Sequence, residues 1–489
     1  MAQTQTPPAA PDKLAPGDGF FLLVVYLATF VAAFNENIVN VALPELCQDL
    51  AIGTDTGQWL ITGYMVVASI MTASTGFLSR RFSTRGLFFT AVAALVAGEL
   101  LCLVAPSYGM LLPCRLIQAV GSGILFPLMM NVVLACAPKP RLGLFLAVGT
   151  ACITLGPALG PVLSGLADTL FGWRAIFVLP GVASLILGLL GLKAVRTVNV
   201  PEKVSLDVAS LVLMACGLTV LVLGIGSVTS NPALGVALLV VAVVLLALFA
   251  RRQFALETPL LNLRPFFNGA FWPAVLFTMV AMMMSFSLSV LLPLYYEGAF
   301  ATTSFVAGLL ILPAVAVNAG TSVWGGRIMD ASGEWPLLPA GFALVLGALV
   351  VMVAMAEGGA GLVAVTLLTV AVYAGVGFVM SPSQTAGLRR LAPGEDQGGT
   401  AIINTSVMIA ASIGSSLFVG VMTAATGSAT SGGASEAAAT ATGFGAAMTV
   451  AAAFALAGLV GAFFYARAMS ASRVTAAAKP SDTKGPSGR

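Results

Sequence analysis

Three ionisable residues, Glu36, Glu99 and Arg115, sit deep inside long apolar runs of this 489-residue chain. A charge held in lipid costs several kcal/mol unless it is paired or hydrated, so each is a candidate for function. Counted back from the outer ends of their runs at 1.5 Å per residue, all three lie about 10 Å deep and could meet in one layer. Two carboxylates beside one guanidinium can move protons. Arg115 neutralises one carboxylate, and the other, stripped of water, takes up and releases a proton. A static Glu99–Arg115 pair bracing two helices is the alternative.

The elements that position these groups follow from composition. Hydrophobic residues make up 58% and charged residues 8%, with a mean hydropathy of +1.01. A soluble domain carries about 25% charged residues, so lipid must solvate most of this surface. Disorder, collagen-like repeats and a disulfide scaffold fall with the same numbers, since cysteines total only six. The net charge of +3 gives no footprint for nucleic acid, and the absence of histidine removes histidine catalysis, most transition-metal sites and histidine proton relays. Neither a phosphate-binding Gly-x-x-x-x-Gly-Lys-Ser/Thr loop nor a His-Glu-x-x-His helix occurs, so neither ATP hydrolysis nor zinc chemistry is expected.

The apolar runs are long and do not alternate, which selects helices over a membrane barrel. Fourteen spans are expected: six before residue 200, two between 201 and 252, and six after 270. With the N-terminus inside, 20 of the 22 basic residues fall on the inner side, the exceptions being Arg115 and Arg174 at an outer boundary. Both termini are therefore expected in the cytoplasm. The reading divides the chain into a tail (1–18), an N-terminal six-helix bundle (19–200), two extra helices (201–252), an interfacial linker (253–269), a C-terminal six-helix bundle (270–467) and a second tail (468–489). Both tails are expected to be disordered. The Ala/Gly/Ser/Thr-rich stretch from Ala424 to Gly443 is expected to be a flexible outer loop.

The chain repeats itself. Gly76 to Ser83, at the inner end of the second span, is echoed by Gly326 to Gly333. The offset exceeds one six-span half by the length of one helical hairpin, which the two extra spans supply. Internal duplication of this kind is the usual build of secondary transporters.

The run Asn35 to Pro44, the Trp59–Tyr64 segment and Arg115 to Gly123 resemble the major facilitator superfamily, specifically its fourteen-span drug/proton antiporter group. The fifth span, with Gly149, Gly156, Pro157, Gly160, Pro161 and Gly165, followed by Trp173 to Phe177, resembles the antiporter motif and its sequel. Leu292 to Tyr296, and Gly398 to Gly414 around Asn404, fit the same group. The resemblance covers residues 20–467. It implies an all-α polytopic fold of two six-helix bundles plus two central helices, working by alternating access as a multidrug exporter in the bacterial cytoplasmic membrane. It implies a proton gradient as energy source without cofactor or metal, a small-molecule substrate, the lipid bilayer as surroundings, and a monomer. The sequence assigns no periplasmic adaptor.

Where the family has an acidic residue at 35 and Thr at 37, this chain has asparagine at both and places its carboxylate at Glu36. Because the resembled family lines its cavity with the first span and turns the third towards lipid, Glu36 is the expected proton-exchanging group rather than Glu99. In the loop after the second span Arg80 and Ser83 replace the family's acid and glycine, whereas the second copy keeps Asp330 and Gly333.

Other polar side chains extend the site. Arg115, Gln118 and Ser122 share one face of the fourth helix, and Glu36 and Asn40 one face of the first. With Asn35 and Asn37 they are candidates for a hydrated cavity wall; hydrogen bonding between helices is the alternative. Met283, Phe286 and Tyr295 could form a deformable apolar pocket or plain core. The fifth-span glycines could act as a seal between halves or as ordinary close packing. Arg80, Arg81 and Arg85, with Arg327 and Asp330, are candidates for an inner charge lock or for contacts with lipid phosphates. An importer of the same fold, and an exporter of an endogenous metabolite, peptide or antibiotic, remain as alternatives.

Overall fold

The computed structural model describes residues 14–477 apart from 139–141, 203, 205, 229–230, 258, 333–336, 359–360 and 392–394. Fourteen long helices dominate them: α1 (Asp18–Asp49), α2 (Trp59–Arg81), α3 (Thr84–Leu103), α4 (Tyr108–Cys136), α5 (Leu142–Phe171), α6 (Val178–Ala194), α7 (Val208–Ser227), α8 (Pro232–Ala255), α9 (Phe271–Phe300), α10 (Ser304–Ser332), α11 (Leu337–Gly358), α12 (Leu362–Leu388), α13 (Asp396–Ser431) and α14 (Glu436–Ala477). Thirteen are long and apolar enough to cross a membrane, and α5 is the fourteenth long helix. The described residues contain no strand. Only helices satisfy every backbone polar group within the segment, as a lipid solvent requires.

The packing follows the duplication. In the first bundle α1 packs on α4, α5 and α6, α2 on α4, and α3 on α4 and α6. In the second, α9 packs on α12, α13 and α14, α10 on α12, and α11 on α12 and α14. The bundles meet along two seams, α2 with α13 and α5 with α10. Second helix therefore meets fifth helix in both directions, the relation a two-fold axis along the membrane normal produces. The hairpin α7–α8 stands beside the first seam: α7 touches both α2 and α13, while α8 turns Val236, Val240 and Val243 outward. The hairpin is clamped at its base, where Arg252 reaches Asp207 through Nε (2.6 Å) and Nη2 (2.7 Å). Beside this pair, buried Gln253 donates to Ser210 Oγ and accepts from the amides of Leu260 and Leu261.

Several expected boundaries move. The loop expected over 424–443 shrinks to residues 432–435: α13 runs to Ser431 and α14 begins at Glu436. Alanine favours helix strongly, and the hydroxyls of Ser428, Thr430, Ser431 and Thr442 bond back to carbonyls one turn earlier instead of competing with the helix. The first helix starts at Asp18, the last continues to Ala477, α8 extends to Ala255, and one 3-10 turn (Arg264–Phe267) lies within the linker. Residues 1–13 and 478–489 of the tails lie outside the described residues.

Candidate functional site

Helix α4 carries Arg115, Gln118 and Ser122 on one face, and the structure buries all three completely. The face is turned towards α1 and α2. Arg115 Nη1 donates to Gln118 Oε1 (2.5 Å), Asn35 Oδ1 (3.1 Å) and Asn35 O (3.2 Å), and Nη2 donates to the same carbonyl (3.2 Å). The guanidinium stands 4.3 Å from the ring centroid of Tyr64 on α2, and the Tyr64 hydroxyl closes on Ser122 Oγ at 2.5 Å. A buried cation is thus held by two amide side chains, a backbone carbonyl and an aromatic face.

The carboxylates come into the same layer without touching it. Glu36 is 3% exposed and Glu99 fully buried, and Arg115 acts on both through space. Yet among the described residues no carboxylate oxygen lies within 4.0 Å of the guanidinium. Glu36 Oε1, both oxygens of Glu99 and Arg115 Nε are buried without a hydrogen-bond partner. The expected neutralising pair, and the static Glu99–Arg115 brace, are both replaced by an arginine resting on amides. Glu99 also departs from the lipid-facing position the resemblance implies: α6 covers it, with Gly181 against its Cβ.

Asn40 does not join Glu36; its Nδ2 donates to Asn37 Oδ1 at 2.9 Å. Asn37 Nδ2, Asn40 Oδ1 and Asn35 Nδ2 stay buried and unbonded. Tyr64 is the residue that sequence reasoning passed over. Its signal was the Trp59–Tyr64 segment, which was read as a family mark rather than as part of the site.

The fifth-helix glycines face α1 and α4, inside their own bundle. A Cβ on Gly156 would meet Ala33 Cβ and Phe34 N at 2.6 Å, and one on Gly160 would meet Asn37 Cβ at 3.3 Å, while Gly149 faces Met129 and Tyr26. They serve close approach of α5 to the site helix rather than lining the seam with α10. Gly165 supplies a carbonyl to Thr169; the side chains of Pro157 and Pro161 lie outside the described residues.

In the second bundle Met283 and Tyr295 belong to the core, Tyr295 stacking on Phe444 at 4.1 Å. Phe286 instead packs with Met65, Val290 and Ala411, from α2, α9 and α13, where the bundles meet. Of the three apolar candidates it alone reaches across the seam.

Around the turn between α2 and α3, Arg80, Arg81 and Arg85 form no ion pair among the described residues. Arg85 donates to the Leu192 carbonyl (3.1 Å) and lies 5.6 Å from the Phe89 ring. Arg327 is exposed at the end of α10, and the Asp330 side chain lies outside the described residues. Near the Phe171 end of α5, Glu45 of α1 and Glu297 of α9 act on the Asp168 carboxyl, whose Oδ1 is buried without a hydrogen-bond partner. Burial first, then these acids, push its carboxyl up to about 7. Nearby, Asp49 accepts from Trp173 Nε1 and Arg174 Nη1, both at 2.9 Å, which hold its carboxyl below the usual range.

The major facilitator superfamily pattern matches residues 25–415. Lincomycin resistance protein LmrB of Listeria innocua is 34% identical over 402 residues, covering 81% of this chain and 85% of that one. The protein of the same name from Bacillus subtilis is 33% identical, covering 82% and 85%. A multidrug resistance protein B homolog of Mycobacterium tuberculosis is 29% identical, covering 84% and 78%. Among solved structures, the peptide transporter POT in complex with sulfate shares the fold with a TM-score of 0.68 at 16% identity, covering 96% of this chain and 99% of that one. With helices, seams and sequence in agreement, this multi-pass membrane protein belongs to the major facilitator superfamily of transporters.

Proposed function

We propose that this transporter exports small amphipathic molecules, drugs or toxic compounds, in exchange for protons, by alternating access between its two bundles. The observation that carries this reading is the Arg115 guanidinium resting on Asn35 and Gln118 while Glu36 and Glu99 stand buried and without an ion pair in the same layer. A buried carboxylate bears charge only with a partner or water, so moving Arg115 and moving a proton are linked. A shift of α1 relative to α4 as the bundles rock brings a carboxylate to the arginine that here rests on amides. Glu36 is the exchanging group, since it stands next to Asn35 on the helix that Arg115 grips. The resistance functions carried in the names of the relatives support drugs as the substrate class.

The orientation with both termini in the cytoplasm, in a bacterial cytoplasmic membrane, rests on the basic residues of the inner loops. The test is accumulation of lincomycin and ethidium in overexpressing cells, with and without Glu36→Gln. Lower accumulation that depends on the proton gradient and on Glu36 is expected. Unchanged accumulation of every probe in wild-type cells contradicts export.

A further inference from the structure

The connector between α6 and α7 sends one side chain into the turn between α2 and α3. Asn199 Nδ2 donates to the Ser79 carbonyl (2.6 Å) and the Phe82 carbonyl (2.8 Å), and its Oδ1 accepts from Thr84 N (2.7 Å) and Thr84 Oγ1 (2.6 Å). Both donor and both acceptor positions of a carboxamide are filled. The carbonyls belong to the last turn of α2 and the residue after it, where a helix leaves acceptors unsatisfied; Thr84 N is the first amide of α3, where it leaves donors. One side chain, from more than 100 residues further along the chain, therefore caps two helix ends of opposite polarity. A second tie lies beside it: the amide of Glu202 donates to the Arg80 carbonyl at 2.6 Å.

This turn carries Arg80 and Ser83, where the sequence departs from the family pattern, and its arginines make no ion pair among the described residues. It also ends α2, one of the two helices of the first bundle that form the seams, while the connector leads into α7, which touches the same seam.

We propose that Asn199 is a positioning residue for the inner end of the transport path: it binds the α2–α3 turn to the connector so that the turn, the connector and the base of the α7–α8 hairpin move as one body during alternating access. The tie rests on hydrogen bonds alone, whereas its role in turnover rests on the transport reading above.

The chemistry at 199 permits a discriminating test. Aspartate can still accept from Thr84 but cannot donate to the two carbonyls, and it sets a negative charge against them; alanine removes every bond. Hydrogen exchange of the full chain in nanodiscs is followed in peptides spanning residues 79–86 and 196–204, with ethidium transport measured in proteoliposomes under an imposed proton gradient. In wild type the two segments are expected to be protected and to change together when ethidium is added. In Asn199→Asp and Asn199→Ala both are expected to exchange about tenfold faster. Turnover is expected to fall about tenfold with KM nearly unchanged. The aspartate variant keeps the α3 cap, so it serves where the alanine variant does not fold.

Unaltered exchange in Asn199→Asp overturns the tie, whatever transport does. Faster exchange with wild-type turnover overturns the positioning role. If wild type itself moves no ethidium, the transport reading fails for that probe, and the exchange comparison alone decides the tie.

Discussion

Arg115 on α4 is held by Asn35 on α1: Nη1 meets Asn35 Oδ1 at 3.1 Å, and both Nη atoms meet the Asn35 carbonyl at 3.2 Å. The residue at the position where the resembled family places an acid thus grips the arginine as a neutral amide. Asn35→Ala removes one acceptor from a buried guanidinium and is expected to lower stability by about 1–3 kcal/mol. Asn35→Asp creates a direct buried ion pair. That variant is expected to resist heat at least as well as wild type but to turn over more slowly, because Arg115 no longer changes partner easily. Thermal unfolding of purified protein and transport in proteoliposomes check both.

Gly156 sets how closely α5 approaches α1. A methyl there would stand 2.6 Å from Ala33 Cβ and from Phe34 N, beside Asn35. The neighbouring backbone must shift, so Gly156→Val is expected to cost about 1–3 kcal/mol or more and to impair transport. A thermal midpoint equal to that of wild type contradicts the packing.

The outer acids give a pH dependence. Asp168 ordinarily titrates at 3.8 and is pushed up to about 7 here, by burial first and then by the neighbouring acids Glu45 and Glu297. The arrangement therefore binds a proton more tightly than the separated groups do. Its contribution is complete below 3.8 and is lost progressively as pH rises towards about 7. Arg174 does not offset it, being committed to Asp49. The thermal midpoint is expected to fall across that window in wild type and to fall less in Asp168→Asn.

Two adjacent residues at the hairpin base should differ in weight. Arg252 pairs with Asp207 at a surface where its side chain is 43% exposed and solvent screens the pair, so Arg252→Ala is expected to cost little. Gln253 is 3% exposed and serves Ser210, Leu260 and Leu261 together. Gln253→Ala leaves buried partners unsatisfied and is expected to cost about 1–3 kcal/mol. Unfolding of the two variants side by side checks the order.

Charge scarcity made much of this protein legible. Basic residues recur at alternate ends of apolar runs, and this alternation counts fourteen helices without any contact information. The same scarcity isolated Glu36, Glu99 and Arg115, and helical spacing put Gln118 within reach of Arg115. Spacing along one helix carries nothing about its neighbours, however. Which group of α1 faces Arg115 depends on how α1 is rotated, and the depth count could not separate Asn35 from Glu36, one residue apart. Residues 424–443 were misread because alanine, serine and threonine suit a linker and a lipid-embedded helix alike. Asn199 lies in a polar connector, and only the fold brings it to the α2–α3 turn.

The central claim is that Glu36 exchanges the proton. Purified wild type and Glu36→Gln, reconstituted into vesicles with an imposed proton gradient, can be compared for uphill ethidium movement and the accompanying proton flux, with thermal unfolding as the control for folding. Folded Glu36→Gln is expected to bind ethidium but to show neither uphill movement nor proton flux. Full proton-coupled transport by Glu36→Gln contradicts the account.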